Sequence, residues 1–274
     1  MLTRRKPGRI FRRIKRQLLC GLARKSPLVS MLLRAPSPIR SQFYECGRSA
    51  NRLIIFLPGI GDVLEDYEVY GFIDAVRERG ISADMTVADM HFGYYLRRTA
   101  LDRLREDVIL PARRSGYDQI DLVGISLGGF GGLFYAAHYP GEIARLFLLA
   151  PYLGSREIVA ELSNAGGVKS WRPAKVSEND YPRQLWRRLK NYSPHNTALP
   201  NLYLGYGRQD KFATANQLLA ELLPLTHVHT VPGRHDWPTW KRLWNLLLTQ
   251  AAESGLSSER SPVAGSPLVG KNLS

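Results

Sequence analysis

Gln119-Ile120-Asp121-Leu122-Val123-Gly124-Ile125-Ser126-Leu127-Gly128-Gly129 is the part of the chain that says most about its architecture. An apolar run of strand length gives way to a glycine–serine–glycine spacing. Phe130-Gly131-Gly132-Leu133-Phe134-Tyr135-Ala136-Ala137-His138 follows with helical character. The physical reading is strand, sharp turn, helix. A serine at such a turn is pushed out on a strained elbow, with its hydroxyl at the carboxyl edge of a sheet. Gly124 and Gly128 suit the turn because a Cβ at either would collide with a neighbouring strand or helix. The helix that begins at the serine also points its positive end at any oxyanion forming there.

Similar runs recur on both sides. Strand-like segments fall near 52–57, 84–88, 119–123, 144–150, 201–206 and 226–231. Helix-like segments fill the gaps near 67–79, 97–114, 126–139, 211–223 and 237–250. That alternation predicts an α/β fold with a mostly parallel central sheet flanked by helices. Phe43-Tyr44-Glu45-Cys46 reads as an edge strand. The chain divides into a basic arm (1–42), one α/β domain (43–251) and a Ser-, Gly- and Pro-rich tail (252–274) read as disordered. Residues 152–200 are too long for a simple crossover and are expected to form a small lid.

From about Arg52 to Leu248 the chain resembles the α/β-hydrolase family, specifically its serine esterases and lipases. Gly124-Ile125-Ser126-Leu127-Gly128 has the form of that family's nucleophile elbow. The strand Arg52–Leu57 ends in Pro58-Gly59-Ile60-Gly61-Asp62, where the family carries its oxyanion loop, often as His-Gly; here proline stands in place of that histidine. Gly207-Arg208-Gln209-Asp210 follows a later strand, at the place of the family's triad acid. Gly233-Arg234-His235-Asp236 follows the last strand and matches the loop of the family's histidine. The order Ser, Asp, His is the family's order.

The resemblance implies a triad of Ser126, Asp210 and His235, with the backbone N–H groups of Leu127 and Ile60 as the oxyanion hole. A neutral serine hydroxyl is a poor nucleophile, so an imidazole must take its proton during attack. A carboxylate on the other ring nitrogen fixes the tautomer and stabilises the imidazolium. Other residues compete for these roles. His227 and His229 fall inside a strand, His138 ends a helix, and His91 and His195 lie in loops. Asp236 adjoins His235, and Asp180 lies in the insertion. Tyr94, Tyr152 and Trp186 are candidates to line a substrate pocket, although the insertion's aromatic residues could equally serve only to pack it down.

The activity expected from this pattern is hydrolysis of a carboxylic ester or thioester through an acyl-enzyme, without a cofactor. A thioesterase or acyltransferase would use the same residues, and a non-catalytic binding protein could keep the fold. No zinc-ligand cluster, P-loop or dinucleotide fingerprint is in place. The expected substrate is a small-molecule ester with an apolar acyl part.

Charge is the second informative feature. Residues 1–48 hold thirteen lysines and arginines against the single acid Glu45, so +12 of the chain's net +14 lies there. Phe11, Ile14, Leu18 and Leu22 share one helical face, and Arg9, Arg12, Arg13 and Arg16 crowd the rest. That pattern fits a helix lying on anionic lipid, so residues 1–25 are expected to make a peripheral membrane contact. An organellar transit segment and a start at Met31 remain open. Charges interrupt every apolar core that a secretory signal would need. No aromatic-interleaved basic patch suggests a specific nucleic acid. Cys20 and Cys46 are too few and too far apart for a stapled scaffold, which fits a cytoplasmic protein on the inner membrane face.

Overall fold

In the computed structural model the described residues are 8–23, 35–47, 50–192 and 200–258, with side chains through Ala252. The strands are β1 (Ser41–Tyr44), β2 (Arg52–Leu57), β3 (Asp84–Ala88), β4 (Gln119–Ile125), β5 (Arg145–Leu149), β6 (Asn201–Gly207) and β7 (Val228–Val231). They form one sheet in the order β1-β3-β2-β4-β5-β6-β7. Only β1 runs antiparallel, pairing Ser41 with Ala88 and Tyr44 with Met85 at the edge. The other pairs are parallel. The sheet is therefore mostly parallel, as the alternation of runs predicts.

The helices that flank the sheet include α1 (Arg9–Ala23), α2 (Glu65–Val69), α3 (Phe72–Glu78), α4 (Phe92–Leu96), α5 (Ala100–Leu104), α6 (Leu127–His138), α7 (Arg156–Asn164), α8 (Tyr181–Leu189), α9 (Ala213–Ala220) and α10 (Trp237–Ser258). From α5 the chain continues through a π-helical turn, Arg105–Ile109, into Leu110–Arg114. Strand β4 is buried along nearly its whole length, and α6 packs over it. A strand covered on both faces reads as a continuous apolar run, which is why 122–125 shows no alternation. At the opposite end of the sheet, buried Asp121 holds Arg52 at 2.8 Å and Arg145 at 2.6 Å, bracing β2, β4 and β5.

Several boundaries differ from the expectations. The edge strand forms two residues early, at Ser41–Tyr44. The segment 67–79 splits into α2 and α3 at Gly71, whose φ of 76° ends one helix before the next begins. The last helix runs to Ser258, so the first seven residues assigned to the tail are helical, and the remaining sixteen lie outside the described residues. The described part of the insertion, 152–192, contains α7 and α8. Its own Trp171, Trp186 and Tyr192 are buried within the hydrophobic core.

Two described parts of the arm, 8–23 and 35–42, lie against the domain. Helix α1 docks on the domain, and Ile39 is buried with its N–H bonded to the Asp107 carboxylate at 2.9 Å. Among the described residues, no helix is long and apolar enough to cross a membrane.

Candidate active site

Ser126 sits between β4 and α6 with φ 52° and ψ −113°, a conformation that L-residues avoid. Close packing holds it there. A Cβ on Gly128 would lie 2.1 Å from the Leu57 carbonyl oxygen, and one on Gly124 would lie 2.5 Å from the Gly128 carbonyl oxygen. Glycine at both positions lets α6 press directly on β2 and β4. The backbone around the serine is also bonded: its N–H donates to Leu149 at 3.0 Å, and its carbonyl accepts from Phe130 and Tyr152.

The sheet brings two distant loops to this point. Gln209 N–H donates to the Gly233 carbonyl at 3.0 Å, and Gly233 N–H donates back to the Gln209 side chain at 2.6 Å. A Cβ on Gly207 would be 2.3 Å from the Gly233 carbonyl oxygen, so the two loops close only on glycine. His235 is carried on one loop and Asp210 on the other. The buried Asp210 carboxylate accepts from His235 Nδ1 at 2.8 Å. With the proton on Nδ1, His235 Nε2 accepts from the Ser126 hydroxyl at 2.9 Å. The other Asp210 oxygen accepts from the Phe212 N–H at 2.8 Å. Phe212 and Trp240 flank the imidazole edge-on, each with ring centroids 4.9 Å away.

Ser126, Leu127 and Ile60 face one cavity of about 490 Å³, together with Phe92, Tyr152, Lys211 and Phe212. The loop bearing Ile60 closes against the serine: a Cβ on Gly59 would lie 3.4 Å from that of Ser126. A second cavity of about 480 Å³ shares Tyr152, Lys211 and Phe212 and extends along α7.

Two proposed pocket residues lie elsewhere. Tyr94 is fully buried and donates its hydroxyl to the Pro36 carbonyl at 2.6 Å. Trp186 is fully buried and donates Nε1–H to the Leu153 carbonyl at 2.7 Å. Tyr152 does line the cavity. Phe92, Lys211 and Phe212 line it too, although the sequence pattern does not single them out. Phe212 carried a signal, because it stands two residues past the acid and next to the loop that must hold it.

The competing residues have other work. His91 caps α4, its Nδ1 accepting from the Gly93 N–H at 3.1 Å. Burial, aided by the nearby Arg16 cation and opposed by Asp89, pushes its pKa down to about 4. His227 stacks on Tyr203 with centroids 4.5 Å apart. Asp236 accepts from the Thr239 N–H in the first turn of α10. Asp180 caps α8 and pairs with Arg183. His195 lies outside the described residues.

The loop after β2 carries one more unusual group. Asp62 is buried and accepts from Trp237 Nε1–H at 3.3 Å, with Arg13 of α1 at 3.7 Å. Burial, reinforced by Asp66, raises its pKa to about 7 against the pull of Arg13.

Comparison with known proteins agrees with this architecture. A family model described as "Putative esterase" matches residues 89–251, more than half of the chain. Est1E from Butyrivibrio proteoclasticus superposes with a TM-score of 0.54 at 17% identity, over 80% of this chain and 97% of that one. The S-formylglutathione hydrolase FrmB of Staphylococcus aureus gives 0.52 at 14%, over 79% and 98%. The peroxisomal α/β-hydrolase Lpx1 of Saccharomyces cerevisiae gives 0.51 at 16%, over 86% and 89%. At such identities the likeness is one of fold, and the fold is that of the α/β-hydrolases. No curated protein matches the chain.

Proposed function

We propose that this chain, which belongs to the esterase family described above, cleaves a carboxylic ester through an acyl-enzyme on Ser126. The observation that carries the reading is the unbroken hydrogen-bonded run Asp210–His235–Ser126, with 2.8 and 2.9 Å links. Ser126 Oγ attacks the ester carbonyl as His235 Nε2 takes its proton. Asp210 keeps Nδ1 protonated and stabilises the imidazolium that forms. The oxyanion is met by the N–H groups of Leu127 and Ile60, and each such donor is worth about 10²–10³ in rate. His235 returns the proton to the departing alcohol oxygen as the C–O bond breaks. A water, deprotonated by the same imidazole, then attacks the acyl carbonyl and releases the acid and free Ser126.

The cavity walls are mainly apolar, with Ile60, Phe92, Leu127, Tyr152 and Phe212, which suits an ester with an apolar acyl part. In this reading residues 1–25 make peripheral contact with an anionic membrane.

The test is hydrolysis of p-nitrophenyl esters from acetate to palmitate, by the intact protein and by Ser126→Ala. The intact protein should be active and should label with a fluorophosphonate. The variant should fold, fail to label and lose on the order of 10⁴-fold or more in kcat. An active Ser126→Ala protein would overturn the mechanism. Silence of the intact protein on every oxygen ester, with turnover of acyl-thioesters, would move the assignment to a thioesterase.

A further inference from the structure

Helix α1 meets the domain with one face. Arg9 pairs with Asp66 at 2.6 Å, Arg12 with Glu65 at 2.5 Å and Arg16 with Asp89 at 2.5 Å. Arg13 lies 3.7 Å from both Asp62 and Asp66 and donates to the Tyr70 hydroxyl at 2.9 Å. Arg16 also donates to the Asp62 carbonyl at 2.8 Å. Near the end of the helix, Cys20 is buried against Leu19, Ile60 and Phe92, and the last two side chains also wall the cavity at Ser126. The helix is therefore fastened along the rim of the proposed active site.

Pairing the arginines inward turns the apolar face outward. Ile10, Phe11, Ile14, Leu18 and Leu22 are 51–71% exposed, and they make up half of the exposed large apolar side chains among the described residues. An amphipathic helix on a globular protein ordinarily buries that row and leaves its charges in water. Here the arrangement is reversed, and an exposed apolar row of this size marks an interaction surface.

We infer that this row is a lipid-docking surface, that it seats the rim of the active site on an anionic bilayer, and that the enzyme draws its ester from that surface. The last step rests on the esterase reading. Charge selects lipid over a second copy of the chain. With Arg9, Arg12, Arg13 and Arg16 paired to the domain, residues 1–48 still hold nine further lysines and arginines against the single acid Glu45, so two arms brought together would set like charges against each other, whereas an anionic surface attracts them. Lys15 stands exposed on the helix, placed to meet lipid headgroups. A helix is about 10–12 Å across, so docking brings Ile60 and Phe92 within roughly one helix diameter of the lipid.

The test compares the full-length protein with the double variant Phe11→Ser/Leu18→Ser. Both are mixed with phosphatidylcholine vesicles, with and without phosphatidylglycerol, and with a p-nitrophenyl ester either dissolved or embedded in the vesicles. The intact protein should bind the anionic vesicles, and the variant should bind them about tenfold more weakly or worse. Hydrolysis of the dissolved ester should be equal in the two proteins, while hydrolysis of the embedded ester should fall with binding. Equal partitioning of the two proteins would overturn the inference. So would a dimer of the intact protein that the double variant dissociates. Vesicle binding that depends on Phe11 and Leu18 in a protein that cleaves no ester would sink the esterase reading and leave the docking surface standing.

Discussion

The loop Pro58–Asp62 is gripped from two sides, and the grips differ in kind. On one side stands the elbow. Gly128 lies so close that a Cβ would meet the Leu57 and Pro58 carbonyl oxygens at 2.1 and 2.8 Å. On the other side stands α1. Arg16 bonds the Asp62 carbonyl, and Gln17 lies so near Gly61 that a Cβ there would meet its Cγ at 2.6 Å. The elbow is backbone against backbone inside the core, with no solvent to absorb an error. The arm is held by long side chains at the edge of the domain, where an ion pair can break and its partners can hydrate. One grip is rigid and all-or-none, and the other can be released.

The sharpest way to break this comparison is Gly128→Ala. Its methyl group has no space, so the expected cost is about 3 kcal/mol or more, read as a large drop in Tm or in soluble yield. A variant of native stability would show that the elbow has slack.

Arg16→Ala probes the other grip. It leaves the largely buried Asp89 carboxylate without its guanidinium and removes a bond to the loop. The expected cost is about 1–3 kcal/mol, confined to the docking of α1. Hydrogen exchange should quicken in residues 9–23 while β4 and α6 keep their protection. Equal loss of protection in both regions would mean that arm and core form one cooperative unit.

A pH-dependent effect sharpens the seam itself. Asp62 holds its proton more tightly in the folded protein than in the unfolded chain, because burial pushes its pKa up to about 7 from 3.8. As pH rises from about 4 to about 7 the unfolded chain releases that proton first, so the stability tied to Asp62 is present below this window and is lost across it. Asp62→Asn keeps a neutral side chain throughout. Its stability relative to the parent should therefore improve steadily over the window, as followed by urea unfolding at several pH values. A constant difference would show that the Asp62 carboxylate is as well solvated folded as unfolded.

Much of this architecture was legible in the sequence, for local reasons. The runs 52–57 and 84–88 become strands residue for residue; Leu53–Leu57 is an unbroken apolar stretch because a parallel strand covered on both faces buries every side chain. The elbow could be read because its glycines are demanded by the turn they make. Asp210 and His235 stood out because each follows a strand at the sheet's carboxyl edge, and the structure then joins them through hydrogen bonds. Pocket lining was less legible. Tyr94, Tyr152 and Trp186 are all aromatic residues in suitable places, yet only Tyr152 faces the cavity. An aromatic ring packs a core as readily as it lines a pocket, and the choice depends on neighbours that are distant in sequence.

The arm marks the same division. Its helical period, its arginine face and its apolar row were all written in residues 9–23, because a helix sets its own faces through 3.6 residues per turn. Which face would meet the protein was not written there. That depended on Asp62, Glu65, Asp66 and Asp89 being gathered at one rim by the turns after β2 and β3. The sequence alone determined the sheet, the elbow and the amphipathic helix, since each follows from local spacing. Only the tertiary structure decided that the cationic face turns inward, because the carboxylates that claim it come together only when the sheet has formed.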